Sequence, residues 1–323
     1  MATVLYFIPH QDDELLSFAN DIIEHVQAGE DVKVCICMDG AGSYVRRSLR
    51  EGGTCSSHSG THEYGLTFAE FSKARDLEFV QSLNALGVAT SNILYYPTRW
   101  RDNSLTVARA KEFMLYYLNK YPKAKVKTFT PHGASSMHVD HKALGQAAME
   151  LYKAGKIYNN DLRLFVEPYE IDNFRKLNPN INAWQINCLN TTKLNNAIAA
   201  YKVWNPGTVP NPGKVGTVQK VASNDVLNVR SGPGTKYSVV FTLSPDKGST
   251  GTKNECEIIG SSGSWLQVKN VETGKTGYCN SAYIKRYKGA SATSRFACGY
   301  HSVKGYIDDF ANKKLNYVHK PQA

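Results

Sequence analysis

Long apolar runs are missing from this 323-residue chain: none approaches the roughly 18 residues a helix needs to cross a bilayer, so no membrane span is expected. The opening MATVLYFIPHQDDE lacks the basic head, long apolar middle and small-residue cleavage site of a secretory signal. No signal peptide and synthesis in the cytoplasm are therefore expected. Paired cysteines are missing too. Seven, at Cys35, Cys37, Cys55, Cys188, Cys256, Cys279 and Cys298, form no CxxC motif, and an odd number in a large chain argues against a disulfide framework. Reduced, mostly buried thiols are expected, with Cys256 and Cys279 the one pair that two neighbouring strands could bring together. Acidic excess is absent: 38 Lys and Arg against 28 Asp and Glu leave a net charge of +10, which favours anionic surroundings. The basic residues are dispersed rather than gathered with stacking aromatics, so nucleic acid is not the expected partner.

What is present begins with alternating strands and helices. TVLYFIPH is an apolar run rich in branched and aromatic residues, and DDELLSFANDIIEHVQAGE then spaces Leu15, Leu16, Phe18, Ala19, Ile22, Ile23 and Val26 as a helix that stops at Gly29. Strands are predicted again at DVKVCICMDG, NILYYP, VKTFTPH and LRLFVEPY. Helices are predicted over TFAEFSKARDLEFVQSLNALGV, SLTVARAKEFMLYYLNKY and HVDHKALGQAAMELYKAG. Repeated strand-helix units imply an α/β fold, a mostly parallel sheet with helices on both faces and right-handed crossovers. Chemistry in such sheets sits at the strands' carboxyl ends, where His10, Asp39, Pro97 and His132 are expected.

The texture changes after Trp204. Residues 205–217, NPGTVPNPGKVGT, read as a linker dense in Pro and Gly, and residues 217–287 show short alternating runs separated by turns, a small all-β unit. The long stretch 40–65 exceeds ordinary connection lengths and is a candidate lid or specificity loop.

His10 and Asp13 lie three residues apart where a strand gives way to a helix, and His138 and His141 share a face at the start of a later helix. A histidine-aspartate pair and one histidine from the second place would make a three-point site for a divalent metal with a position left for water. Asp12 is then free to accept a proton. Against this stands a plainer reading, in which Asp12, Asp13 and Glu14 merely complement a helix dipole. His25, His58, His62, His132 and His319 are read as exposed or internally satisfied rather than as ligands.

PHQDDE followed by HVDH resembles the signature pair of the PIG-L/LmbE-like zinc-dependent N-deacetylases, whose motifs usually read PHPDDE and HxxH. CMDGAG and ARDLEF…LGV extend the likeness over residues 1 to about 204. The resemblance implies a Rossmann-like domain that removes acetyl from N-acetylglucosamine-type sugars. It implies His10, Asp13 and His141 as ligands of Zn2+, with another divalent transition metal compatible, Asp12 as general base, and His138 as the charged or proton-donating group facing the oxyanion. Arg75 matches a position that touches substrate in the family, although an i,i+3 surface pair with Glu78 competes with that role. Asp39, with Arg46 and Arg47, is a further candidate for lining the sugar site. Gln11 stands where the family has proline, which leaves the turn less preset.

VLNVRSGPGTKYSVVFTL…GSWLQVKNVETGKTGYCNSAYI resembles a bacterial SH3-type domain of the kind appended to wall hydrolases. It implies a small barrel with Trp265 packing near the core and a tether to the bacterial cell wall, with Tyr237 and Tyr283 as exposed aromatics for that contact. RFACGYHSVKGYIDDF is similar to the closing segment of some deacetylases of the family. The expected layout is a discontinuous deacetylase domain, 1–206 and 294–323, interrupted by the SH3-type domain at 217–287, with His301 returning to the mouth of the site. Its substrate would be a glycan containing N-acetylglucosamine in a bacterial wall or surface polymer. Wall binding without a signal suggests release by lysis, a phage context or non-classical export. Two alternatives are a deacetylase of a small N-acetylglucosamine conjugate and a wall-binding protein without catalysis.

Overall fold

The computed structural model describes residues 1–133, 137–158 and 161–321. It resolves into two compact units, one made of Met1–Ser43, Arg75–Val203 and Ala297–Ala323, the other of Tyr44–Ala74 and Trp204–Phe296.

In the first unit the strands β1 (Thr3–Ile8), β2 (Asp31–Met38), β3 (Ile93–Trp100), β4 (Lys125–Phe129), β5 (Leu162–Val166) and β6 (Trp184–Ile186) join the closing strand Asn316–His319 in one sheet. The order is β3-β2-β1-β4-β5, then the closing strand, then β6. Pairing from β3 to β5 is parallel, and the closing strand runs antiparallel to both its neighbours. Alternation along β1 divides the core in two. Val4, Tyr6 and Ile8 pack on one face with Leu15, Phe18 and Ile22, and Leu5 and Phe7 pack on the other with Phe113, Met114 and Ala147. Sequence order reverses direction at β1, between β2 on one side and β4 on the other. In open α/β sheets ligands bind at such a switch point, beyond the strand carboxyl ends.

Several local features differ from the sequence reading. The first helix opens with a π-helical turn, Glu14–Phe18, before the α-helix Ala19–Gln27, and no side chain caps it. Its three acids are therefore engaged elsewhere. Pro97 lies inside β3 rather than at its end, a position tolerated because β3 is an edge strand.

The second unit holds a seven-stranded sheet, in spatial order Val239–Leu243, Leu227–Arg230, Thr276–Asn280, Trp265–Asn270, Glu255–Ser262, Val215–Val218 and Ile284–Arg286. All its pairings are antiparallel. One core draws on Val218, Val229, Leu243, Ile258, Val268 and Ile284, so strands from both ends of the sheet surround the same interior. Cys256 and Cys279 belong to that core as thiols, and among the described residues no two cysteines form a disulfide. Trp265 does not reach the core. In its strand Leu266 and Val268 point inward, and strict alternation turns Trp265 to the opposite face, half-buried.

The segment Tyr44–Ala74 is tied to this β unit by buried charge. The guanidinium groups of Arg46 and Arg50 both donate to the Glu255 carboxylate, and Arg46 also donates to the Leu66 carbonyl at 3.0 Å. Arg46 is thus committed to an internal ion pair rather than to a sugar, and Arg47 lies 3.6 Å from Glu51.

Candidate active site

Each element of the switch-point crevice ends on a chemical group. His10 follows β1 by two residues, Asp39 directly follows β2, Glu167 directly follows β5, and the helix Val139–Lys153 begins beyond β4 with His138 as its N-cap. That helix lies hard against the end of β4. A Cβ on Gly145 would fall 2.5 Å from the Pro131 nitrogen and 2.7 Å from the Phe129 carbonyl oxygen, so only glycine permits the approach. The His141 ring then stacks on Phe129 at 3.9 Å, with 3° between the planes.

Three side chains converge, Asp13 through both of its carboxylate oxygens. His10 Nδ1 is 3.3 Å from His141 Nε2 and 3.3 Å from Asp13 Oδ2, and His141 Nε2 is 3.1 Å from Asp13 Oδ1. Around a tetrahedral zinc with bonds of about 2.0–2.2 Å, neighbouring ligand atoms stand about 3.3–3.6 Å apart, so the three are spaced close to one face of such a site. Each imidazole has a carboxylate at its far nitrogen. His10 Nε2 is 2.9 Å from Asp140 Oδ2. His141 Nδ1 is 2.9 Å from Glu167 Oε1, a contact of charge, because the ring N–H does not point along that line. Carboxylates placed behind histidines in this way orient metal ligands and raise their basicity.

Asp12 sits beside the cluster, 3.2 Å from Arg75 Nη2. Its backbone is held at φ 115°, a sparsely populated region for a non-glycine residue that costs on the order of 1–3 kcal/mol. The surroundings fix it there: the Asp12 carbonyl accepts from the Leu15 and Leu16 amides at 3.1 Å each, and its own amide donates to Glu14 Oε2 at 3.1 Å. Glu14 Oε1 in turn accepts from the Tyr201 hydroxyl at 2.7 Å. Glu14 thus supports the turn from within, and Asp13 accepts from the His10 amide at 2.9 Å rather than capping the helix.

Residues 5–152, a span that contains both motifs, match the family described as GlcNAc-PI de-N-acetylase (PIG-L), and residues 225–285 match the one described as Bacterial SH3 domain. The chain carries a PIG-L deacetylase domain and a bacterial SH3 domain. Solved structures similar to this chain include an N,N'-diacetylchitobiose deacetylase from Pyrococcus horikoshii, 20% identical over 62% of this chain and 70% of that one, with a TM-score of 0.42. Another is the zinc-inhibited form of teicoplanin deacetylase Orf2, at 18%, 62% and 84%, with a TM-score of 0.45. GalB, a 4-carboxy-2-hydroxymuconate hydratase from Pseudomonas putida KT2440, matches at 17%, 62% and 77%, with a TM-score of 0.40. No curated protein matches. Among the described residues no helix is long and apolar enough to cross a membrane.

Electrostatics in the PIG-L domain divides the titratable groups into opposites. Burial pushes His10 down, but hydrogen bonds to Asp13 and Asp140 outweigh it and raise the ring to about 9. His141 is raised too, its burial outweighed by Asp13 and Glu167. Asp13, despite its burial, is held well below the usual carboxylate range by His141 and His10. Two rings drawn toward positive charge among three carboxylates are the signature of a site with surplus negative charge, and a divalent cation fits it. Asp12 differs: burial raises it to about 7 against the pull of Arg75. His138 is lowered to about 4 by burial and by His10 and His141. Its Nδ1 accepts from the Asp140 amide at 3.2 Å, so the ring is neutral and its proton is on Nε2.

The remaining predicted residues are more scattered. Arg75 and Glu78 form no surface pair, since both are buried. Arg75 donates to the Gly40 and Gln11 carbonyls as well as to Asp12, and Glu78 accepts from the Cys298 and Gly299 amides. Asp39 Oδ1 accepts from the Ala41 amide and Oδ2 lies 3.1 Å from Arg101 Nε. Gln11, in the family's proline position, donates to Asp76 at 2.7 Å, which supplies by hydrogen bonding the stiffness that a ring would give. His301 lies in the last helix, Cys298–Lys313, with Nδ1 2.8 Å from the Ala297 carbonyl, outside the group formed by His10, His138 and His141. In the SH3 domain Tyr237 and Tyr283 are 37% and 41% exposed. The sequence reading missed Asp140 and Glu167. Glu167 had a usable signal, as the acid that ends the apolar run LRLFV.

Proposed function

We propose that this protein is a metal-dependent N-deacetylase of N-acetylglucosamine units in a bacterial wall or surface glycan. His10, Asp13 and His141 would hold the metal, zinc in the first instance. The observation that carries the reading is the convergence of those three donors, with Asp12 beside them on its own support. A divalent cation at that point supplies Lewis acidity to the amide carbonyl and to the attacking water. Asp12, poised near neutrality by burial and oriented by Arg75, takes the proton as water adds to the acetyl carbon. His138 donates its Nε2 hydrogen toward the developing oxyanion. The C–N bond then breaks, the departing nitrogen gains a proton to become the free amine, and acetate leaves. Arg75 acts through Asp12 as a positioning residue.

The SH3 domain would hold the enzyme on the wall through Tyr237 and Tyr283, raising the local concentration of substrate. Acetate release from N-acetylglucosamine oligomers tests the catalytic reading. Asp12→Asn should keep its metal and lose about 10²–10⁴-fold in turnover. Unchanged turnover removes Asp12 from the mechanism, and release from a soluble monosaccharide conjugate but never from oligomers moves the substrate to a small conjugate.

A further inference from the structure

Outside the PIG-L site, the segment Gly53–His62 forms a closed hairpin loop. Thr54 pairs with Thr61 in an isolated antiparallel bridge, the Cys55 amide donates to the Gly60 carbonyl at 3.2 Å, and the His62 amide donates to the Gly53 carbonyl at 3.1 Å. This closure sets Cys55 near His62, with His58 between them in the chain. Each of the three offers one ligand atom, and those atoms lie within 4.8 Å of one another. The spacing, Cys-x2-His-x3-His, is of the kind by which short loops hold zinc.

Tautomer and geometry agree with that reading. His58 Nδ1 lies 3.2 Å from the Ser59 carbonyl, which can only accept, so Nδ1 carries the proton and Nε2 presents its lone pair. That Nε2 stands 3.2 Å from His62 Nε2, close to the about 3.3–3.4 Å that separates two nitrogens bound to one tetrahedral zinc. The Ser57 amide donates to the Cys55 sulfur at 3.3 Å, which fixes where that sulfur points. Aromatic packing holds the rings in place. His58 stacks on Trp204 at 3.8 Å with 15° between planes, and His62 lies 5.3 Å from the same indole. Trp204 itself is pinned by its strand pairing with Phe296 and by edge contacts with Tyr64 and Phe296. Two imidazoles held this close by a stacked floor are preorganised for an ion.

We infer that Cys55, His58 and His62 form a second metal site, specific for a thiophilic divalent cation such as Zn2+, which pins the loop Gly53–His62. Three protein donors leave one corner of a tetrahedron open to water. This site differs from the PIG-L centre in one chemical respect that an experiment can read: it contains sulfur.

The test uses the full chain, stripped with a chelator under reducing conditions and titrated with Co2+. Thiolate ligation gives a near-ultraviolet sulfur-to-cobalt charge-transfer band that a site of histidine and aspartate cannot produce. The band should appear in the parent, persist in His10→Ala and vanish in Cys55→Ser, while Cys55→Ser retains the cobalt held by His10, Asp13 and His141. His58→Ala should weaken the sulfur-linked binding at least tenfold. A parent protein without the band, or a band that survives Cys55→Ser, overturns the inference. Loss of cobalt from the PIG-L centre alone would instead count against the catalytic reading and leave this one standing.

Discussion

At the scale of single residues, the site is organised by what lies behind the converging histidines as much as by the histidines themselves. Asp140 and Glu167 each place a carboxylate 2.9 Å from the far nitrogen of a converging histidine. Removing the charge at one of them while keeping its shape should loosen the metal without unfolding the protein. Glu167→Gln is expected to weaken metal affinity about 10–100-fold, measured by competition with a chromophoric chelator, and an unchanged affinity would show that Glu167 does not act through His141. PHQDDE and HVDH were legible as a pair because ligand chemistry restricts residue type and spacing. Arg75 and Glu14 were not legible in their supporting roles. What they support is defined by partners 63 and 187 residues away, Asp12 and Tyr201, and no local pattern encodes that.

At the scale of elements, the strand-helix alternation of the first half was readable from periodicity, since strands with both faces covered are apolar throughout. Less readable were elements whose place depends on others. The closing strand Asn316–His319 is short and enters the sheet between β5 and β6, where its burial is set by its neighbours. Within it His319 is buried, with Nδ1 2.7 Å from the Lys320 carbonyl and Nε2 2.9 Å from the Thr130 hydroxyl. Burial, with the nearby His132 adding to it, lowers its pKa from 6.5 to about 4, so the unfolded chain binds a proton at mildly acidic pH that the folded chain does not. Its contribution is complete above pH about 6.5 and is lost as pH falls toward about 4, up to about 3 kcal/mol in all. Urea midpoints at pH 7 and pH 5 should therefore diverge more for the parent than for His319→Gln. Equal divergence would mean that His319 takes its proton as readily folded as unfolded. Trp265 teaches the same lesson, since a one-residue choice of register puts it on either face of its strand.

At the scale of the whole molecule, the two units carry the two halves of the proposed function, and the net charge of +10 bears on both. Attraction to an anionic wall polymer would be screened by salt, whereas contacts of Tyr237 and Tyr283 would be screened far less. Retention of the full chain on purified wall fragments should fall as ionic strength rises from low to physiological, and Tyr237→Ala with Tyr283→Ala should reduce what remains. Retention indifferent to both changes would overturn the tether. Division of the chain was readable only in part. The shift to Pro, Gly and short strands after Trp204 marks the β unit, but nothing in the letters of Tyr44–Ala74 announces that Arg46 and Arg50 meet Glu255 about 200 residues on.

The sequence by itself determined the class of the sheet and singled out the two motifs whose side chains converge, because hydrophobic period and residue spacing are local properties that survive without coordinates. The tertiary structure alone decided which acids stand behind the histidines, that His138 is neutral, which unit Tyr44–Ala74 joins, and that a cysteine and two histidines close on one another over Trp204. Those depend on burial and on approach between distant parts of the chain, and both are products of packing.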